Sequence, residues 1–378
     1  MSSSWSSRSV ASTPRMPEPL ATRRGTLAVP TFLPDATRAG VRGVSSEDLA
    51  TVGVEGVMVN AFHLLRRPGA RAMQAGGGIH RFMGWSGPVL SDSGGFQVWS
   101  LIRQDPARGV IRDHEVVFRE PSTGQKWILT PERVVQLQFQ LGSDVVVCLD
   151  DCTDAEAPYD DQVRSVERTV AWARRSREEF DRLAGQLRDG HVPPKIFAVV
   201  QGGGDEALRR GCAAELARIG FDGYGFGGWP LGADGLLLTD ALRWVVEALP
   251  EAATKHGLGI GRPDHLVSAF PLGYSLFDCA LPTRDARHGR LYAFRAGYPE
   301  RLPRPGAAFF RAVYILDARY RTDREPLEAG CDCPTCRTYS RAYLHHLFKV
   351  GDTSAERLAT LHNLRFYVRL VQRLRSTD

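Results

Sequence analysis

DVVVCLD, residues 144–150, is a run of apolar, β-branched residues that closes on a carboxylate. A run this apolar has no face to give to water, so it reads as a strand buried on both sides, as in a parallel sheet. Similar runs lie on either side of it: VEGVMVN (54–60), GPVLSD (87–92), KIFAVVQ (195–201), GYGFGG (223–228), KHGLGIG (255–261) and YSLFDC (274–279). Their spacing is too wide for hairpins, and several gaps hold helical patterns. Thr130-Pro131-Glu132 supplies an N-cap followed by Pro at the first helical position, and it opens VVQLQFQLG. Further amphipathic stretches cover about 160–187, 205–219, 236–248 and 263–270. Buried strand, helix, buried strand, repeated this often, predicts an α/β chain with a parallel sheet.

Six of these runs end in groups suited to chemistry: Asn60, Asp92, Asp150, Gln201, the pair Gly227-Gly228, and Asp278 with Cys279. In a (β/α)8 barrel the C-terminal strand ends converge on one active site, whereas an open doubly wound sheet gathers its ligands at one switch point. No GxGxxG follows the first run. The expectation is therefore a (β/α)8 TIM barrel over residues 25–300, followed by a small C-terminal subdomain over 301–378. That second part carries a Pro-rich link at 302–305 and two helical stretches at about 338–349 and 354–375.

The chain has 378 residues, of which 43% are hydrophobic and 24% charged, enough for one large domain with a substantial core. No apolar run approaches the roughly 20 residues needed to span a bilayer, and residues 1–24 lack the apolar centre of a secretory signal. Those 24 residues are rich in Ser and Arg and poor in acids, a composition that a transit peptide and a disordered tail share; a tail is expected. The net charge is +5, and only four of the 48 basic residues are Lys. Arginine suits phosphate, but this balance permits a nucleic-acid partner without requiring one. Seven cysteines without regular spacing argue for a reducing compartment, and a cytoplasmic location is expected.

Three of those cysteines cluster as CDCPTC, giving Cys331, Cys333 and Cys336 in a turn that can aim three thiolates at one point. Tetrahedral zinc needs a fourth ligand, and His345, His346 and His362 lie downstream. His362 sits in a second helical stretch that can fold back over the turn, so it is the expected ligand. A site with four protein ligands is closed, and this Zn2+ is expected to hold the fold rather than act in catalysis.

An aspartate after a strand is often only a helix cap. Three on one rim, with an amide and a diglycine among them, point instead to an active site, and paired carboxylates divide labour as nucleophile and acid/base in retaining glycosyl chemistry.

SDSGGFQVWSL, LTPERVVQLQFQLGSDVVVCLDDCT, FAVVQGG, IGFDGYGFGG, LFDCALPTRDARHG and CDCPTCRTYSRAYLHHLFKVGDT…TLHNLRFY together resemble the tRNA-guanine transglycosylase family, in chain order, from about residue 25 to 375. The resemblance implies replacement of guanine at the wobble position of a tRNA with a GUN anticodon by a 7-deazaguanine, as in queuosine-type modification. It makes Asp278 the nucleophile that forms a covalent glycosyl ester and Asp92 the general acid/base. It further implies that Asp150 meets the purine's N1–H and amino edge, that Gln201 and the Gly228 N–H face its carbonyl, and that Phe96 stacks on the ring. In the same reading the Gly94-Gly95 pair lets the backbone approach the substrate. Arg284 and Arg287 would touch the RNA, Cys331, Cys333, Cys336 and His362 would hold zinc, and the protein would be a homodimer needing no nucleotide or redox cofactor.

Two segments depart from that family's pattern. Where its bacterial members continue from the diglycine through Leu, a small residue, Val and Gly to Glu, this chain has Trp229-Pro230-Leu231-Gly232-Ala233, with Asp234 one residue on. Ala233 cannot meet a cationic amine, and Leu231 would clash with queuine, so the incoming base is expected to be preQ1 or preQ0 with a lean to the neutral nitrile of preQ0. His256-Gly257-Leu258 replaces a Tyr-Leu-Met run and places Leu258 on the purine's other face. Two alternatives stay open: the same exchange on DNA with preQ0, and a non-catalytic RNA-binding subunit related to the active enzyme.

Overall fold

The computed structural model describes residues 18–120, 123–188, 190–295 and 305–376. Eight parallel strands form its centre: β1 (Thr31–Pro34), β2 (Val57–Asn60), β3 (Val89–Asp92), β4 (Val145–Val147), β5 (Lys195–Val200), β6 (Gly223–Phe226), β7 (Thr254–Gly257) and β8 (Leu276–Cys279). From β2 to β8 each pairs with its neighbour in sequence, and β8 returns to β1 in the register Leu33 with Asp278 and Pro34 with Cys279. The seam between β1 and β2 is closed by a bridge from Asp35 to Met58, with the Ala36 N–H donating to the Met58 carbonyl at 2.7 Å. This is the (β/α)8 barrel expected from the strand ends.

Sequence reading missed β1. TFLP offers only four residues, too short to stand out from the Pro-rich segment around it, yet all four are buried. Also missed were a hairpin (Leu20–Thr22 with Gly25–Leu27) and a three-stranded antiparallel sheet between β3 and β4 (Gly109–Ile111, Val116–Arg119, Lys126–Leu129). The hairpin lies partly inside the tail expected over residues 1–24. Leu20 and Leu27 enter the apolar cluster of the barrel interior with Leu33, Met58, Leu90, Val145, Val147, Phe197, Val199 and Leu276. Residues 1–17 of that tail, and 302–304 of the Pro-rich link, lie outside the described residues.

The helices follow the sequence closely. Thr130 caps Pro131–Leu141, its hydroxyl accepting from the Arg133 N–H at 3.3 Å. Tyr159–Ala184, Glu206–Ile219, Thr239–Glu247 and Pro263–Ala269 cover the outside of the barrel. Below it the chain makes a hairpin (Arg290–Phe294 with Phe310–Tyr314), the cysteine turn, and the helices Arg341–Val350 and Thr353–Arg375. The last helix does not stay with the cysteines. Phe366, Tyr367, Leu370, Val371 and Leu374 join the largest apolar cluster, beside Phe32 of β1 and Phe277 of β8. Burying each such side chain contributes about 1.5–3 kcal/mol, so the final helix is part of what holds the barrel together.

Candidate active site

Period-two alternation sets the rim. Leu33, Met58, Leu90, Phe197, Val199 and Leu276 fill the barrel interior, so the residues two positions beyond each outermost of them, Asp35, Asn60, Asp92, Gln201 and Asp278, emerge on the same side at the C-terminal edge. There a cavity of about 350 Å³ opens, lined among others by Asp92, Phe96, Asp150, Gly228, Leu258 and Asp278.

Asp92 is held by the end of β2 and the first residue of the helix that follows it. The Asn60 amide donates to its Oδ2 at 2.7 Å and the Ala61 N–H to its Oδ1 at 3.2 Å. Burial pushes its carboxyl up to about 8, against those hydrogen bonds and helped by the nearby charges of Asp35 and Asp278. Asp278 faces it from β8. One oxygen of Asp278, Oδ1, lies 2.8 Å from Nε2 of the buried His256 and accepts from the Gly259 N–H at 3.3 Å. Both contacts fall on Oδ1, which leaves Oδ2 as the oxygen for an incoming group.

Asp150 stands on the opposite sector. Gln201 donates from Nε2 to its Oδ2 at 2.7 Å, and burial raises its carboxyl to about 6 while that amide holds it down. Gln201 itself is buried and is spent on Asp150, so it supports the carboxylate from behind instead of facing the cavity. Gly228 does line the cavity, at φ +79°. Phe96 lies at the mouth, 41% exposed, and stacks with Trp229, 58% exposed, at 6.4 Å between centroids and 21° between planes. Leu258 lines the wall between β6 and β8.

The glycines at 94 and 95 line the cavity and also serve the packing of their own loop. A Cβ on Gly94, which has φ +78°, would sit 2.4 Å from the Cβ of Phe62, and one on Gly95 would meet the Asp150 carbonyl at 3.1 Å. They let the loop pack against the protein's own backbone, which sets Phe96 at the start of a helix (Gly95–Gln104) beside Asp92.

Leu231 also sits differently from expectation. It pairs with Leu237 in a small bridge and does not line the cavity; Trp229 and Pro230 close that end. Ala233 and Asp234 are exposed, and Asp234 accepts from the Leu236 N–H at 2.9 Å within its own turn, so it does not replace the missing glutamate. Arg284 and Arg287 lie on the short helix Leu281–Arg287 directly after β8, Arg284 exposed and Arg287 half-buried.

Sequence reasoning missed three residues. His256 looked only like a change in the pocket wall. Asp35 went with the missed strand. Arg209, fully buried, donates to the carbonyls of Val200 at 2.7 Å, Gly203 at 2.9 Å and Gly227 at 3.0 Å, beneath the diglycine turn. Its signal, an arginine on the inner face of an amphipathic helix, is visible only once that face is known.

The cysteine cluster assembles as expected. One ligand atom from each of Cys331, Cys333, Cys336 and His362 lies within 4.8 Å of the others, with Sγ to Nδ1 distances of 3.8, 3.7 and 3.2 Å. Tetrahedral zinc with Zn–S near 2.3 Å and Zn–N near 2.1 Å requires separations of about 3.6–3.8 Å, which Cys331 and Cys333 meet and Cys336 would reach by moving outward about 0.4 Å. His362 Nε2 lies 2.7 Å from the Tyr292 carbonyl, which makes it the donor there and frees Nδ1 as a ligand. His345 is spent elsewhere, its Nδ1 lying 2.7 Å from the Ile315 carbonyl.

A closed parallel barrel whose rim sets two carboxylates against each other beside an aromatic-walled slot defines an enzyme of the glycosyl-transfer class. A model of the family described as queuine tRNA-ribosyltransferase matches residues 18–377. Queuine tRNA-ribosyltransferases of Actinobacillus pleuropneumoniae serotype 3 (strain JL03) and Aliivibrio fischeri (strain MJ11) are each 39% identical to it, over 92% and 93% of this chain and 84% and 87% of theirs. A third, from Shewanella baltica (strain OS155), is 39% identical over 93% of this chain and 87% of its own. The chain belongs to the queuine tRNA-ribosyltransferase family and is a pentosyltransferase. No helix among the described residues is long and apolar enough to cross a membrane.

Proposed function

We propose that the protein exchanges guanine at the wobble position of a tRNA with a GUN anticodon for a small 7-deazaguanine, through a glycosyl ester on Asp278. Asp278 Oδ2 attacks C1′ of the ribose while the C1′–N9 bond breaks, its electron pair passing to the purine, which takes a proton from Asp92. The incoming base then gives a proton to Asp92, and its N9 displaces Asp278 from C1′. Two inversions leave the configuration unchanged. The observation that carries this reading is the unlike surroundings of the two facing acids. Asp92, raised to about 8, holds its proton at neutral pH, while Asp278 is fixed by a histidine and a backbone N–H through one oxygen only.

Within the slot, Asp150 binds the purine's N1–H and amino edge, Gly228 offers its N–H to the carbonyl, and Phe96 and Leu258 take the two faces. Gln201 fixes Asp150. Among the lining residues the carboxylates are Asp92, Asp150 and Asp278, all engaged in these roles, and the far end is walled by Trp229 and Pro230. This favours a small neutral 7-substituent, as in preQ0, over the cationic preQ1 and the bulky queuine. Arg284 and Arg287 contact the RNA beside Asp278. The four-ligand cluster holds Zn2+ as a structural ion, and the protein acts as a cytoplasmic homodimer.

The test is displacement of labelled guanine from tRNA, with preQ1, preQ0 and queuine offered in parallel and guanine-containing DNA as a second acceptor. Exchange on tRNA with loss of both turnover and covalent complex in Asp278→Ala is expected. Residual turnover in that variant above about 1% of wild type would reject Asp278 as nucleophile.

A further inference from the structure

The rim holds a fourth carboxylate that the exchange reaction, as set out above, does not use. Asp35 follows β1 at the point where the barrel closes, locked by its bridge to Met58. It lies two residues beyond Leu33, the register partner of Asp278, and so on the same face as the nucleophile. On its other side are Asn60 and Asp92, paired in register across β2 and β3. The rim therefore divides into two sectors. Asp150, Gly228 and Leu258, on β4 to β7, form the slot for a planar base, whereas Asp278 and Asp92 line the cavity from β8 and β3, with Asp35 and Asn60 between them on the rim and outside the lining.

A carboxylate among carboxylates is costly. Burial raises Asp35 above its ordinary range, Thr37 opposes this with hydrogen bonds, and the charge of Asp278 raises it further. Thr37 supplies only one side: its N–H donates at 2.7 Å and its hydroxyl at 2.5 Å, both to Oδ1. Oδ2 has no hydrogen-bond partner among the described residues. Close enough for Asp35 to feel its charge is Arg287, whose Nη1 is buried and meets no acceptor. An acceptor without a donor thus follows β1, and a donor without an acceptor lies in the helix after β8, the strand of Asp278. A ribonucleotide brings both missing partners, a 2′-hydroxyl one bond away from C1′ and a phosphate. A deoxyribonucleotide brings only the phosphate.

We propose that Asp35 is a specificity-determining residue that accepts a hydrogen bond from the 2′-hydroxyl of the nucleotide under attack, with Arg287 on the adjoining phosphate, so that the site selects RNA over DNA. This rests on the base-exchange reading and names its polymer. A hydrogen bond to a charged group is lost outright when the hydroxyl is missing, and the carboxylate is then left unpaired.

The test uses two anticodon stem-loop hairpins, one all-ribose and one with a single 2′-deoxyguanosine at the reacting position, with kcat/KM for guanine displacement measured on each. The 2′-hydroxyl also changes the intrinsic lability of the glycosidic bond, so the readout is the ribo-to-deoxy ratio in Asp35→Ala relative to wild type. That ratio should fall by about tenfold or more, through loss of rate on the all-ribose hairpin. Asp35→Asn, which keeps an acceptor for Thr37, should lower it less and covers poor folding of the alanine variant. An unchanged ratio in both variants, including equal loss on both hairpins, would overturn the proposal and leave Asp35 a general electrostatic or structural role. Failure of the wild type to displace guanine from the all-ribose hairpin would instead overturn the base-exchange reading, and this inference with it.

Discussion

Asp92 and Asp150 are the same residue type on one rim, both raised by burial, yet the proposed exchange requires opposite protonation of them. Asp92 must carry a proton to release the purine, and burial keeps it protonated up to about pH 8. Asp150 must be ionised to accept two donors from the base, and burial delays this until about pH 6. The kcat/KM for guanine displacement should therefore rise through pH 6 and fall above pH 8, by about tenfold per pH unit on the outer limbs. Gln201→Leu removes the amide that holds Asp150 down, so the acidic limb should move to higher pH while the alkaline limb stays; an unmoved acidic limb would mean that Asp150 does not set it. The stability sign runs the other way from a salt-bridged acid. With its folded value raised above an ordinary 3.8, Asp92 makes the fold less stable as pH climbs from there to about 8, so Asp92→Asn should raise Tm more at pH 8 than at pH 5 while abolishing exchange. The strand-end aspartates were legible because each closes an apolar run. Asp35 and His256 were not. One follows a strand of four residues, and the other lies inside a strand where only the barrel's curvature brings it to Asp278.

At the scale of elements, the turn after β6 depends on two supports that come from β5 and the helix Glu206–Ile219. Gln201 fills the space against Gly227, and Arg209 holds the Gly227 carbonyl from below. A Cβ on Gly227 would sit 2.5 Å from Gln201 Nε2 and 2.7 Å from Val199 Cγ1, both buried side chains with no room to retreat. Gly227→Ala should thus separate Gln201 from Asp150, lowering affinity for free guanine by about tenfold and destabilising the fold by about 1–3 kcal/mol. Calorimetric binding and thermal melts check the two effects, and unchanged guanine affinity would show that Asp150 keeps its aim without Gln201. The pattern of strands and helices was readable from periodicity because buried parallel strands and amphipathic helices carry strong local signals. The three-stranded sheet between β3 and β4 was not, since its strands are three or four residues long and mostly half-exposed, without the apolar run that marks the barrel. The loop after the diglycine was misplaced for a related reason: counting residues fixed Leu231 opposite the base, while Trp229 and Pro230 took up the wall and turned the chain away.

Across the whole molecule, the last helix ties the cysteine cluster to the barrel. Arg357 pairs with Asp48, Arg365 with Asp332 at 2.6 Å, Arg369 with Glu328 at 2.6 Å and Arg375 with Glu55 at 2.6 Å, so one helix meets the early barrel, the cysteine turn and the seam beneath β1. His362 sits on this helix between those pairs, and the next residues enter the barrel core: the Tyr367 hydroxyl donates to the Gly261 carbonyl, and a Cβ on Gly261 would lie 2.5 Å from Cys279 beside Asp278. A metal bound at 362 would therefore fix the position of a helix that supports β8. The expected content is one zinc per chain by elemental analysis. Removing it with a strong chelator, or through His362→Ala, should lower Tm by roughly 5–10 °C, as expected for a loss of a few kcal/mol in a domain of this size. Guanine binding to the β4–β7 slot should suffer less than turnover, which needs Asp278 in place. Re-adding zinc should restore both Tm and turnover in the chelated wild type and neither in His362→Ala. A protein free of metal with the same Tm would show that the cluster holds the helix through thiol and imidazole packing alone.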